Sequence, residues 1–153
     1  LTYFGITFCV LGTILILIGC FEDQIKKIFK ISSSKQEENG DDFVGKYGEA
    51  AVRSVVLLNT GITHDPVLAW ETITREIFGE GTSSQKKGCP KGTFLGICES
   101  GLVNGVPAGT YTRSKLNKEY GLRALTLLSL NPELINDMKT LWFQTLGDNQ
   151  KCC

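Results

Sequence analysis

The chain has 153 residues and no net charge. That zero is an average, because residues 36–81 carry nine acidic and three basic side chains, whereas residues 82–124 carry seven basic and two acidic ones. The chain is therefore dipolar, with an acidic first half and a basic middle. Residues 43–147 are enough for one modest hydrophobic core, and this length excludes a second domain.

Residues 1–21 contain no charged side chain. A helix of that length, at about 1.5 Å per residue, is roughly 32 Å long, which matches the hydrocarbon core of a bilayer. The sequence therefore predicts a single-pass transmembrane helix. Mostly small residues recur on it in steps of three and four, which predicts a seam for packing against other membrane-protein subunits. The seam consists of Gly5, Cys9, Gly12, Ile16 and Gly19.

Four lysines follow this span between residues 26 and 35. Because basic flanks tend to stay on the cytoplasmic side, they predict that the following domain lies on that side of the membrane. A second interpretation stays open, since residues 17–20 (LIGC) resemble the lipobox of bacterial lipoproteins, in which Cys20 would carry the lipid. Residues 22–42 are predicted to form an amphipathic stub and a polar linker, and residues 148–153 a C-terminal tail.

The apolar periodicity predicts five helices over residues 43–147. The first covers about Val44–Leu58. The second begins with Asp65 as its N-cap and Pro66 in its first turn, and it ends at Gly79. The residues expected in the core on these two helices are Tyr47, Ala51, Val55, Leu58, Val67, Trp70, Ile73 and Ile77.

The third helix is predicted over Pro90–Gly101 and the fourth over about Ser114–Leu130. The fifth is capped by Asn131 and has Pro132 in its first turn. Because no stretch alternates apolar and polar residues with a period of two, the domain is predicted to be all-α. The residues expected in the core on the last two helices are Leu116, Tyr120, Ala124, Leu127, Leu128, Leu134, Met138, Leu141 and Trp142.

Glycine is unusually frequent between residues 79 and 109, and Gly92 and Gly96 lie inside the third helix. Each costs about 1 kcal/mol relative to alanine in a helix, so a compensating contact is expected. With Gly88 they form a stripe at four-residue spacing. The stripe favours the close approach of another helix or of a ligand backbone.

Cations and hydroxyl groups cluster at the starts of the third and fourth helices. Because a helix N-terminus carries partial positive charge and unpaired N–H groups, this pattern predicts an anion site. The site would suit anionic lipid headgroups and, with less support, nucleic acid. The alternative is a solvated basic face, or one that pairs with the acidic half of the domain. The candidate residues are Ser83, Ser84, Lys86, Lys87, Lys91, Arg113 and Lys115.

Other chemistry has little support in the sequence. The one histidine, His64, lies in a loop, and Cys89 has no histidine near it in sequence. The six cysteines follow no disulfide or metal spacing, which predicts free thiols and no metal or other cofactor. The P-loop pattern GxxxxGK[ST] is absent. A helix-turn-helix module is disfavoured because about a dozen residues join the third and fourth helices, against the usual three or four.

Two segments carry a family resemblance: KYGEAAVRSVVLL, and SSQKKGCPKGTFLGICESGLVNGVPAGTYTRSKLNKEYGLRALTLL. They resemble a family of small, uncharacterised, mostly bacterial soluble proteins, with similarity over about Tyr47–Trp142. The resemblance implies a domain boundary near the start of the first helix and no activity. The uncharged segment before the domain is a departure from that family.

Three functions are compatible with these features. The favoured prediction is a non-catalytic accessory or scaffold subunit of a membrane complex, anchored by one helix and docked through its helical domain. The alternative is a membrane-tethered domain that binds an anion or nucleic acid through a basic face. The third is an enzyme of unknown chemistry centred on the Ser83–Gly101 loop.

Overall fold

The computed structural model describes residues 42–147. The described part of the chain is all-α, with five α-helices, one short 3-10 helix and no strand. The predicted membrane span, its packing seam, the stub, most of the linker and the C-terminal tail lie outside these residues. Within residues 42–147, no helix is both long and apolar enough to cross a membrane.

The helices agree with those predicted from the sequence, except at the start of the fifth. They are α1 (Asp42–Asn59), α2 (Pro66–Phe78), α3 (Gly88–Glu99), α4 (Lys115–Leu130), the 3-10 helix (Pro132–Asn136) and α5 (Met138–Leu146).

Helices α1 and α2 form an antiparallel pair. Tyr47, near the start of α1, packs its ring 4.7 Å from that of Phe78 at the end of α2. Asp65 caps α2, since its carboxylate accepts the Val67 N–H at 2.8 Å, and Gly79 ends the helix with a φ of 83°. These are the start and stop predicted from the sequence. The core residues predicted on α1 are all buried.

Helix α3 is the central helix of the domain. Residues 92–98 are buried without interruption, as expected for a helix that is covered on all sides. Helix α2 covers one side, where Trp70 stacks on Phe94 at 5.0 Å between ring centroids. Helix α4 covers another side. The largest fully buried side chains of the core are Trp70, Tyr47, Tyr120, Phe94, Ile97 and Leu141.

The predicted start of the fifth helix is wrong. Asn131 and Pro132 begin a 3-10 helix, and α5 starts only at Met138. The chain restarts there because the Asp137 carboxylate accepts the Thr140 N–H at 3.0 Å and so caps a new helix. Hydrogen bonding by the Thr140 side chain, followed by this backbone hydrogen bond, lowers the pKa of Asp137.

Some predicted core positions differ in the structure. Leu116 is exposed, because the face of α4 that meets α3 carries Asn117, Lys118 and Gly121 instead. Several other predicted core side chains are only half-buried. These are Val67, Ile77, Leu127, Met138 and Trp142.

Candidate functional site

The candidate site depends on how α3 and α4 pack against each other. A Cβ atom placed on Gly92 would lie 2.9 Å from the Ser114 Cβ, and one on Gly96 would lie 2.6 Å from the Lys118 Cβ. These distances are shorter than real contacts, so only glycine allows the backbones this close. From the first contact to the second, the residue number increases by four in both helices. Helices α3 and α4 are therefore parallel.

Gly121, on α4, allows the same close approach to α3. A Cβ there would lie 3.0 Å from the Thr93 Cγ2 and 3.3 Å from the Ile97 Cδ1. The close contact that was expected to compensate for the glycine stripe is therefore made with α4, a helix of the same domain. It involves Gly92 and Gly96 but not Gly88, whose added Cβ would have nothing within 4 Å.

Parallel packing explains the long connection between the two helices. The chain leaves α3 at Glu99 and must return along the whole helix before α4 can start beside Gly92. Glu99 holds this return segment, since its carboxylate accepts the N–H groups of Tyr111 at 2.8 Å and Thr112 at 3.1 Å. The same carboxylate pairs with the Lys118 ammonium at 2.6 Å. The Lys118 hydrogen bond, followed by the two backbone N–H groups, lowers the pKa of Glu99 to about 2.

The parallel arrangement brings two helix N-termini to one end of the domain. The start of α3 at Gly88 lies about one turn, roughly 6 Å along the axis, beyond Gly92, where α4 begins. The positive ends of both helix dipoles therefore lie side by side. The N-caps of α2 and α5 are aspartates that accept backbone N–H groups, whereas the N-caps of α3 and α4, Lys87 and Ser114, make no side-chain cap hydrogen bond.

Three cations surround these N-termini without an acidic partner. Lys86, Arg113 and Lys115 are exposed, and within residues 42–147 none of them forms an ion pair. Lys87, half-buried at the N-cap of α3, adds a fourth positive charge. We call these four residues, Lys86, Lys87, Arg113 and Lys115, the basic end.

The other predicted anion-binding residues, Lys91, Ser83 and Ser84, have different surroundings in the structure. The Lys91 ammonium pairs with the Glu71 carboxylate at 2.7 Å, so this cation is bound to α2. The Ser84 carbonyl oxygen accepts the Tyr47 hydroxyl at 2.8 Å, which fastens the turn before α3 to α1. Ser83 is exposed on the same turn. These three residues contribute to the surroundings of the basic end, but its exposed positive charge comes from Lys86, Arg113 and Lys115.

Three carboxylates of the acidic half of the domain pair with its own arginines. Arg53 pairs with Glu49 at 3.2 Å and with Glu76, and Arg75 lies 3.7 Å from Glu80. Of the predicted anion-binding residues, Lys91 forms an ion pair with this half, at Glu71. The proposed neutralisation of the basic face by the acidic half thus applies to Lys91, while the exposed cations of the basic end keep their charge.

Nucleophilic and metal chemistry is sparse in the described part of the chain. Cys98 is fully buried, and burial raises the pKa of its thiol to about 12. Cys89 is half-buried, and His64 is exposed in the loop between α1 and α2. Residues 42–147 contain no group of three His, Cys, Asp or Glu side chains placed to hold a metal ion.

Comparison with known proteins gives one match. The model of a family of unknown function, DUF6979, matches residues 44–152. No curated protein and no solved structure matches the chain. The matched span covers all the described helices except the first two residues of α1, and it includes the whole basic end.

Proposed function

Because the chain belongs to the DUF6979 family, which carries no assigned function, we propose its function from the geometry of the basic end. The domain is a non-catalytic binding module that holds a phosphate-bearing partner at the paired N-termini of α3 and α4. The uncharged segment 1–21 would tether it to a membrane. Nucleic acid and lipid headgroups share the phosphate chemistry, and binding to an oligonucleotide or to anionic vesicles distinguishes them.

The single observation that supports this proposal is the parallel packing of α3 and α4. It gathers two positive helix ends and the exposed cations Lys86, Arg113 and Lys115 at one end of the domain. An antiparallel pair would have placed one negative helix end beside each positive one. Unpaired N–H groups, aligned dipoles and neighbouring cations together favour a bound anion.

A direct test measures binding of the full chain, in an uncharged detergent, to a single-stranded oligonucleotide across a salt series. If the three exposed cations each neutralise one phosphate, the slope of log K against log salt is about −2. The double variant Lys86→Gln/Lys115→Gln leaves one such contact, so its slope falls to about −0.7. A parallel arm replaces the oligonucleotide with vesicles that contain an anionic lipid.

The matched control is Thr126→Glu/Ser129→Glu. These two exposed positions lie toward the far end of α4, and the change in net charge equals that of the double glutamine variant. Binding that depends on the basic end survives in the control. Equal losses in both variants, or no binding in either arm, would refute the proposal. Binding in only one arm identifies the source of the phosphate.

A second candidate, the accessory or scaffold subunit, has its own supporting observation. Leu130 and Phe143 are exposed to 78% and 71%, which is unusual for large apolar side chains and favours contact with a partner protein. The seam from Gly5 to Gly19 would add contacts with membrane subunits. Copurification in mild detergent tests this candidate: Phe143→Ser should release a partner that the unaltered chain retains, and a chain that purifies alone contradicts it.

A further inference from the structure

We draw no further inference here: the strongest candidate, the exposed apolar side chains of Leu130 at the end of α4 and Phe143 on α5, carries nothing beyond the second candidate function, because nothing in residues 42–147 shows what covers them.

Discussion

The close crossing of α3 and α4 makes a specific prediction about Gly96. In Gly96→Ala, the new Cβ would lie 2.6 Å from the Cβ and 2.7 Å from the Cα of Lys118. Relaxed carbon contacts are about 3.5–4.0 Å, so the helices would have to separate by roughly 1 Å. The nearest atoms belong to the α4 backbone and its first side-chain carbon, which cannot rotate away.

The expected change in stability follows from two opposing effects. Overpacking of a core costs about 1–3 kcal/mol, and the upper end applies here because the backbone of α4 must move. Alanine regains about 1 kcal/mol of helix propensity over glycine. The free energy of unfolding should therefore fall by about 2 kcal/mol, which lowers Tm by roughly 10 °C for a domain of this size.

Gly45→Ala is the matched control for this substitution. Gly45 lies in α1 and is exposed, and a Cβ there would have nothing within 4 Å. Only the propensity gain remains, so this variant should be about 1 kcal/mol more stable than the unaltered chain. Both tryptophans of the chain lie in the described domain, and tryptophan fluorescence during thermal or urea unfolding reports on it. A Gly96→Ala variant as stable as Gly45→Ala would refute the close crossing of α3 and α4.

Three further predictions concern the ends of the helices and the buried thiol. Lys87→Asp should raise the free energy of unfolding by about 1 kcal/mol, because an aspartate at the N-cap of α3 can accept a backbone N–H as Asp65 does. The same variant should weaken oligonucleotide binding. Unfolding and binding assays on one preparation measure the gain in stability and the loss of affinity. Because the folded pKa of Glu99 is lowered to about 2, its contribution to stability is present above the unfolded value near 4.5 and is lost as pH falls toward 2. Tm should therefore fall less steeply between pH 5 and 2 in Glu99→Gln. At pH 8, iodoacetamide should leave Cys98 unmodified until the domain unfolds, as read by mass spectrometry.

Local signals in the sequence were sufficient for most of the fold. The N-cap and stop of α2 are single-residue signals, and the structure confirms them at Asp65 and Gly79. The apolar stripe of α1 was equally reliable because a buried helix face repeats with a fixed period. The start of α5 was missed because two start signals, Asn131-Pro132 and Asp137, lie six residues apart. Which of them opens an α-helix depends on how the chain packs against α4.

The candidate site required information that local signals do not contain. The sequence showed that Gly92 and Gly96 needed a close neighbour, but not that the neighbour was α4 or that it ran parallel. It also could not separate paired from unpaired cations. Lys91 and Lys118 find their partners 20 and 19 residues away, at Glu71 and Glu99, and such pairings exist only after the helices have packed.

The glycines and the cations of this site have different explanations. The conformational cost of Gly92 and Gly96 is offset by the helix contact they permit, so packing alone accounts for them. The exposed cations Lys86, Arg113 and Lys115 have no such compensation within residues 42–147. A positive charge beside a helix N-terminus is unfavourable by about 0.3–1 kcal/mol, and this domain places several there while capping α2 and α5 with aspartate. An arrangement that lowers the stability of the free domain becomes favourable when an anion is bound, so the cations, rather than the glycines, point to function.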